Sequence, residues 1–205
     1  VEQSGSGSVS IPLSAEYAKP GNIISVVGMN SVGANYDLLL LEKDAAEFAV
    51  GRFEVASDWG SLHTTLSLDT ERKSEGLTSL VSPAGWKIIE SRNISTVDFE
   101  VVGEKMSVDV FVPSTTQNQY WVGNLELWLY IPSSNMRIQL GEQIQLQPYF
   151  GNWKSYEFDV PLNAREKLSE LHDDVHFQIV LNSADSLWID NLRFVGNVAD
   201  NPVNK

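Results

Sequence analysis

The alternating stretch NLELWLYI, residues 124–131, is the strongest indication of the architecture. Successive side chains of a β-strand point to opposite faces of the sheet, so this alternation predicts a strand with one buried face. The aliphatic side consists of Leu125, Leu127, Leu129 and Ile131. The other side carries an amide, a carboxylate and two large aromatic rings, from Asn124, Glu126, Trp128 and Tyr130. Large rings on the non-core face of a strand are unusual, so this face is a candidate binding surface.

The residues that follow repeat the pattern. Ile138, Leu140, Ile144 and Leu146 share one parity, and Arg137, Gln139, Gln145 and Gln147 share the other. A three-residue turn over 141–143 would pair Leu140 with Ile144 and keep all four aliphatic side chains on one side. The sequence thus predicts a hairpin here, with its glutamines beside Trp128 and Tyr130.

Short alternating runs, separated by Gly, Pro, Asn and Ser, continue along the chain. This spacing is typical of an antiparallel β-sandwich. We therefore predict an all-β fold: a two-sheet antiparallel β-sandwich with one short helix. The predicted strands are 9–13, 23–28, 36–42, 48–55, 62–69, 79–81, 86–91, 106–112, 122–131, 136–140, 144–148, 155–160, 175–182 and 187–195.

The helix is predicted over 163–171. Asn163 would cap it, with Glu166 three residues later as in a capping box, and Ala164, Leu168 and Leu171 would share its buried face. The length of 205 residues suits one domain. We predict a Ser/Gly linker over 1–8, one sandwich over 9–198 with a possible boundary near 45, and a tail over 199–205.

Composition excludes several classes of function. The formal net charge is −13, from 14 basic and 27 acidic residues. Such a chain repels nucleic acid and anionic membranes, and it disfavours acidic polysaccharides unless a local basic groove is present. Cysteine is absent, so disulfides and thiolate chemistry are excluded, and the composition fits an exported bacterial protein. The localisation that we expect is extracellular.

Flat rings beside paired amides are the chemistry of sugar recognition. A pyranose offers an apolar face for stacking and hydroxyls for hydrogen bonds. The predicted carbohydrate-binding residues are Asn124, Glu126, Trp128, Tyr130, Arg137, Gln139, Gln145 and Gln147. The alternative is that Trp128 and Tyr130 pack beneath the N-terminal segment or a second sheet. The role of Trp86 is left open.

Six pieces of sequence, in this order, resemble the β-jelly-roll carbohydrate-binding modules of bacterial polysaccharide-degrading enzymes, especially those for mannans and β-glucans. The pieces are RFEVASDW (52–59), KSEGLTSL (73–80), KMSVDVFVP (105–113), WKSYEFDVP (153–161), VHFQIVLN (175–182) and WIDNLRF (188–194). The resemblance covers about residues 48–196 and implies that the sandwich is of the jelly-roll, galactose-binding-like type. It implies a non-catalytic module, part of a larger multimodular enzyme, that grips a neutral β-linked polysaccharide such as β-glucan or mannan.

The resemblance also implies one structural calcium ion on the sheet opposite the sugar site. Glu54 in the opening strand and Asp190 in the closing strand would be its ligands. Backbone carbonyls near residues 73–76 would complete a shell of six to eight oxygens. The alternative is that both acids are ordinary residues at strand ends.

Two other functions stay open. One is a jelly-roll glycoside hydrolase or lyase, but Glu126 has no predicted carboxylate partner at the spacing that hydrolysis requires. The other is a calcium-dependent adhesion sandwich without a sugar ligand. The H-x-x-x-H of His172 and His176 spans a helix-to-strand junction, where a zinc site is not expected. We therefore predict that the chain is not an enzyme.

Overall fold

A computed structural model of the chain describes residues 48–51, 53–99, 101–115, 118 and 120–204. The predicted linker, the predicted strands before residue 43 and the possible boundary near 45 lie outside these residues. The strands are β1 Phe48–Gly51, β2 Trp59–Gly60, β3 Ser67–Asp69, β4 Ser79–Ser82, β5 Gly85–Ser91, β6 Val101–Phe111, β7 Gly123–Ile131, β8 Met136–Gln145, β9 Trp153–Asp159, β10 His176–Ser183 and β11 Leu187–Asp200. The helix α1 is Leu162–Leu168, and short 3-10 turns lie at Ala56–Asp58, Thr96–Asp98, Pro132–Ser134 and Pro202–Asn204.

The strands form two antiparallel sheets, which confirms the predicted β-sandwich. Sheet A has the order β3-β4-β11-β6-β9, with β1 also paired to β11, and sheet B has the order β2-β5-β10-β7-β8. The long closing strand β11 lies inside sheet A, between β4 and β6. Strand β10 lies inside sheet B, between β5 and β7. Both sheets therefore join early and late parts of the described chain.

The aliphatic side of β7 is core, as its alternation predicts. Leu125, Leu127, Leu129 and Ile131 are at most 1% exposed. They pack in one cluster with inward side chains of both sheets, among them Ile179 of β10 and Val108 of β6. Burying each of these side chains contributes about 1.5–3 kcal/mol. This buried layer fixes which face of β7 is directed away from the core.

The predicted hairpin at 141–143 is wrong, because β8 runs through it as one strand. Leu140 pairs with Leu127 and Ile144 pairs with Leu125, both on β7. The extra residues between them form an irregularity in which Gly141 has φ +61°. A Cβ at Gly141 would lie 3.0 Å from the backbone N of Asp159, so the bulge packs directly against β9. A bulge keeps the aliphatic parity without reversing the chain.

The helix is shorter than predicted and is capped differently. Its N-cap is Pro161, whose carbonyl accepts hydrogen bonds from the N–H groups of Ala164 and Arg165 at 3.0 and 3.1 Å. The predicted cap at Asn163 and face at Leu171 are therefore wrong, because the helix begins one residue before Asn163 and Leu171 is 67% exposed. Ala164 and Leu168 are buried as predicted. In the described part of the chain no helix is long and apolar enough to cross a membrane.

Lys87 is a buried cation on the core side of β5. It is 1% exposed, and its Nζ donates to the carbonyls of Pro83 and, at 2.8 Å, Gly85. Burial disfavours the charged form and lowers the pKa of Lys87 to about 8. This group therefore makes the stability of the sandwich depend on pH above neutrality.

We expect Lys87 to add stability as the pH rises through about 8. The folded chain releases this proton at a lower pH than the unfolded chain, whose lysine has a pKa of 10.5, so the unfolded state binds more protons in between. Between pH values of about 7.5 and 9.5 the gain is roughly 1–2 kcal/mol, which is a few degrees in Tm. The Tm of the wild type should therefore rise relative to that of Lys87→Met across this window. A difference in Tm that does not grow contradicts the assignment.

Candidate functional site

The polar and aromatic side of β7 lies on the face of sheet B directed away from the core, which we call the outer face of sheet B. Asn124, Glu126, Trp128 and Tyr130 alternate with the buried residues and are all partly exposed. Neither aromatic ring is enclosed in the core. The described residues therefore leave the predicted binding side of β7 accessible.

Neighbouring strands extend this face with further polar and aromatic side chains. On β10, His176, Gln178, Val180 and Asn182 stand opposite Tyr130, Trp128, Glu126 and Asn124. On β5, Glu90, Ile88 and Trp86 stand opposite Gln178, Val180 and Asn182. On β8, Arg137, Gln139 and Gln145 pair with Tyr130, Trp128 and Asn124. The register thus brings most of the predicted site residues onto one surface.

Gln147 is the predicted site residue that the sheet does not carry. It follows the end of β8 and is exposed, and its backbone N–H donates to the Tyr156 hydroxyl at 3.0 Å. Leu146, which precedes it, lies in the core and is 2% exposed. The side-chain amide of Gln147 lies 3.5 Å from the carbonyl of Gln145.

Trp128 is held by contacts on two sides. Its indole Nε1 donates to Glu126 Oε2 at 2.8 Å, and the other oxygen of Glu126 accepts from Gln143 Nε2 at 2.8 Å. The guanidinium of Arg137 lies 4.3 Å from the centre of the indole ring, and Arg137 Nε donates to Gln178 Oε1 at 3.1 Å. These contacts fix the ring orientation before any ligand is present, which reduces the entropy that binding would cost.

Tyr130 lies beside a second ring. Its phenol stacks on the imidazole of His176, with ring centres 5.8 Å apart. His176 Nδ1 lies 3.0 Å from the carbonyl of Ser91 and 3.5 Å from a carboxylate oxygen of Glu90. Glu90 also accepts a hydrogen bond from Gln178 Nε2. The end of the outer face that carries Tyr130 is therefore a paired-ring surface with an acid at its side.

Trp86 forms the opposite corner of the outer face. It is 54% exposed, and the imidazole of His63 packs edge-on against it with ring centres 4.7 Å apart. Its sequence neighbourhood left its role open, whereas its register on β5 places it on the same surface as Trp128. An exposed indole with one edge supported is suited to stacking on the apolar face of a ring.

Sequence reasoning missed the contributions of β10 and β5. These are His176, Gln178, Asn182, Glu90 and Trp86, together with Gln143 in the bulge of β8. The alternation of β10 was readable, because Phe177, Ile179 and Leu181 are its buried partners. What the sequence lacked was the strand order, which puts β10 beside β7.

The two predicted calcium ligands meet one loop on the side of sheet A. Asp190 is fully buried, and one of its oxygens accepts from the N–H groups of Ser74 and Glu75 at 2.8 and 3.1 Å. Glu54 Oε1 accepts from the N–H of Leu77 at 2.7 Å. Gly76 has φ +62°, and a Cβ there would lie 1.8 Å from Glu54 Oε1. Glycine is required at this position because the carboxylate occupies the space of a side chain.

Carboxylate oxygens, which Glu54 and Asp190 supply, are a type of ligand that calcium binds. Burial raises the pKa of Asp190 to about 6, so its N–H partners do not compensate fully for the loss of water. Asp109 stands opposite Asp190 on β6 and accepts from Ser74 Oγ at 2.8 Å. The residues that the structure describes include no cluster of three or more His, Asp or Glu side chains arranged for a metal ion. Backbone oxygens and water would therefore have to supply most of the shell.

The two histidines of the H-x-x-x-H motif lie in different surroundings. His176 is on the outer face of sheet B, whereas His172 Nδ1 lies 3.2 Å from Ser133 Oγ. Asp174 accepts from the N–H and the hydroxyl of the same serine at 2.6 and 2.8 Å. The motif spans the turn into β10, so its side chains serve two separate contacts.

Comparisons with known proteins agree with this fold. No family model and no curated protein matches the chain. The X-ray structure of a non-crystalline cellulose specific carbohydrate-binding module, CBM28, is 14% identical, with a TM-score of 0.50, and the match covers 77% of this chain and 100% of that one. CBM27-1 of Caldicellulosiruptor saccharolyticus, in complex with mannohexaose, is 11% identical, with a TM-score of 0.47, over 74% of this chain and 98% of that one.

A larger enzyme structure also contains a similar part. The CBM22-1–GH10 modules of endo-1,4-β-D-xylanase 10B from Clostridium thermocellum, complexed with xylohexaose, are 14% identical, with a TM-score of 0.49. The match covers 77% of this chain and 29% of that structure, so the chain spans less than a third of it. The match to the CBM28 structure confirms the resemblance to carbohydrate-binding modules at the level of the β-sandwich fold.

Proposed function

We propose that the chain is a non-catalytic carbohydrate-binding module whose ligand lies on the outer face of sheet B. The observation that carries this proposal is the set of accessible rings at Trp128, Tyr130 and Trp86, interspersed with amides on one surface. Each stacked sugar ring would contribute on the order of 1–2 kcal/mol, and each net hydrogen bond about 1 kcal/mol. Several contacts together would give roughly micromolar affinity.

The two tryptophans indicate a ligand of several sugar units. They are separated by two strand spacings and four residues along the strand, which is roughly 16 Å. Val180 lies between them on β10, so the path from Trp86 to Trp128 has an apolar centre. A chain that crosses the strands diagonally would contact both indoles, whereas a single sugar would reach one.

We further propose a neutral β-linked backbone, a β-glucan or a mannan, and an exported multimodular enzyme as the parent protein. Affinity electrophoresis with β-glucan, mannan and xylan in the gel tests the ligand. We expect β-glucan or mannan to retard the chain, and each sugar unit added to a soluble oligosaccharide to raise its affinity until the ligand spans both indoles. The proposal fails if no polysaccharide retards the chain.

Hydrolysis on the same surface has weaker support. Glu126 and Glu90 share the outer face, and Cα atoms roughly 12 Å apart by strand geometry do not exclude a glycosidase spacing of their carboxyl groups. Each carboxylate is already held, Glu126 by Trp128 and Gln143 and Glu90 by Gln178. A glycosidase needs two carboxyl groups about 5–10 Å apart with the reacting bond between them. Product release that Glu126→Gln abolishes would favour the enzyme.

We also propose a structural calcium ion held by Glu54 and Asp190. Both acids bind the loop that follows Lys73, so a cation between them would tie the opening and closing segments of the sandwich to that loop. A metal that binds the folded chain alone raises its stability with concentration. EGTA should therefore lower the Tm of the wild-type chain, and an excess of calcium should restore it.

A further inference from the structure

Arg137 differs from the other arginines that the structure describes. Each of the others lies within 4 Å of a carboxylate: Arg72 with Asp69, Arg92 with Asp58, Arg165 with Glu104 and Arg193 with Asp109. Arg137 makes no such ion pair with a described residue.

The position of Arg137 is nevertheless defined. Its Nε donates to Gln178 at 3.1 Å and its guanidinium packs on the Trp128 ring, so the side chain reaches from β8 across β7 to β10. Both contacts leave the two terminal nitrogens without a hydrogen bond to any described residue. A guanidinium held by its Nε and one face presents these nitrogens as a fork. Arg137 is exposed, so a ligand can reach them.

The carboxylates of Glu126 and Glu90 on the same face form hydrogen bonds with side chains other than Arg137. Glu126 binds Trp128 and Gln143, and Glu90 binds Gln178 and lies beside His176. Neutral hydroxyls of a sugar can be met by the amides of Gln139, Gln145 and Asn182 on this surface. The fork of Arg137 therefore adds a capacity that a purely neutral ligand does not need, which is the recognition of a planar anion.

We propose that Arg137 binds a carboxylate substituent, such as that of a uronic acid, on an otherwise neutral polysaccharide chain. This inference rests on the proposed function and refines its ligand. A continuous polyuronide remains disfavoured by the net charge of −13. A single carboxylate in contact with Arg137 is different, because distant surface charges are screened beyond about 8 Å at physiological salt.

Matched ligand pairs test the inference by calorimetry. β-Glucan and mannan are used as parent polymers and after partial oxidation of C6 to carboxylate, and glucuronoxylan is used before and after reduction of its carboxyl groups. For the backbone that binds, we expect the carboxylated form to bind roughly five- to tenfold more tightly at low salt, and added NaCl to weaken this preference. Arg137→Gln should remove the preference, and Arg72→Gln, which alters an arginine that packs on Trp188 of sheet A, should keep it.

The outcomes separate the two claims. If the wild type binds a polymer but does not prefer its carboxylated form, or if Arg137→Gln retains the preference, Arg137 recognises neutral hydroxyls and the inference is wrong. If no polymer of either form binds, the proposed function itself fails.

Discussion

Trp128→Ala is expected to lower the affinity for the polysaccharide at least about tenfold, with little change in the fold. The substitution removes the ring at the centre of the outer face of sheet B. It also frees two side chains that this ring holds, because Glu126 loses its indole donor and Arg137 loses the surface on which it packs. The loss of affinity should therefore exceed the 1–2 kcal/mol or so of one stacking contact.

The matched control is a tryptophan on the other sheet. Trp188 on β11 is also partly exposed, with Arg72 4.6 Å from its ring centre. Trp188→Ala should keep its affinity if the ligand lies on sheet B, provided that circular dichroism shows both variants folded. Equal losses in the two variants, or unchanged binding by Trp128→Ala, would remove the outer face of sheet B as the site.

Trp86→Ala should lower the affinity for long oligosaccharides but not for short ones. Trp86 lies roughly 16 Å from Trp128, so a disaccharide seated at Trp128 does not reach it. We expect isothermal titration to show a loss of severalfold with a hexasaccharide and little change with a disaccharide. A loss that is the same for both lengths would contradict the diagonal path.

How far the sequence predicts this molecule depends on where its information lies. The inward and outward faces of β7 follow from residues 124–131 alone. The side chains alternate strictly, and the four aliphatic ones can only be the buried face. The same reasoning was wrong in β8, where a bulge and a turn keep the same parity, and packing of Gly141 against β9 selects the bulge. Local pattern cannot make that choice, because β9 comes later in the chain.

The rest of the candidate site depends on strand order. β10 lies between β5 and β7 in sheet B, and this order creates the contacts of Gln178 with Glu90 and Arg137 and of His176 with Tyr130. Each of these residues is unremarkable in its own stretch of sequence. The corner formed by Trp86 and His63 likewise exists because the segment before β3 returns to β5. Long-range pairing therefore supplies the half of the site that alternation does not predict.

Asp190→Ala is expected to lower the free energy of unfolding more than any other substitution proposed here, because buried Asp190 holds a loop. Asp190 accepts from the N–H groups of Ser74, Glu75 and Asn191, and all three would lose their acceptor in Asp190→Ala. These N–H groups are only partly buried, and alanine also removes a carboxylate that burial disfavours, so the loss is roughly 1–3 kcal/mol, or about 2–12 °C in Tm. Asp98→Ala, which removes an exposed acid, should stay within about 0.5 kcal/mol of the wild type.

Chelation separates the loop contact from the metal. If calcium binds at Asp190, EGTA lowers the Tm of the wild type and of Asp98→Ala but leaves that of Asp190→Ala unchanged. The stabilisation by added calcium, measured without EGTA because the chelator itself loses calcium in acid, should shrink as the pH falls below about 6, since burial raises the pKa of Asp190 to that value and protons then compete with the cation. Without metal the sign is opposite: the raised pKa makes protonation of Asp190 stabilising as the pH falls from about 7 to 4. A wild-type Tm that EGTA does not change would leave Asp190 as an anchor of the loop through its N–H contacts alone.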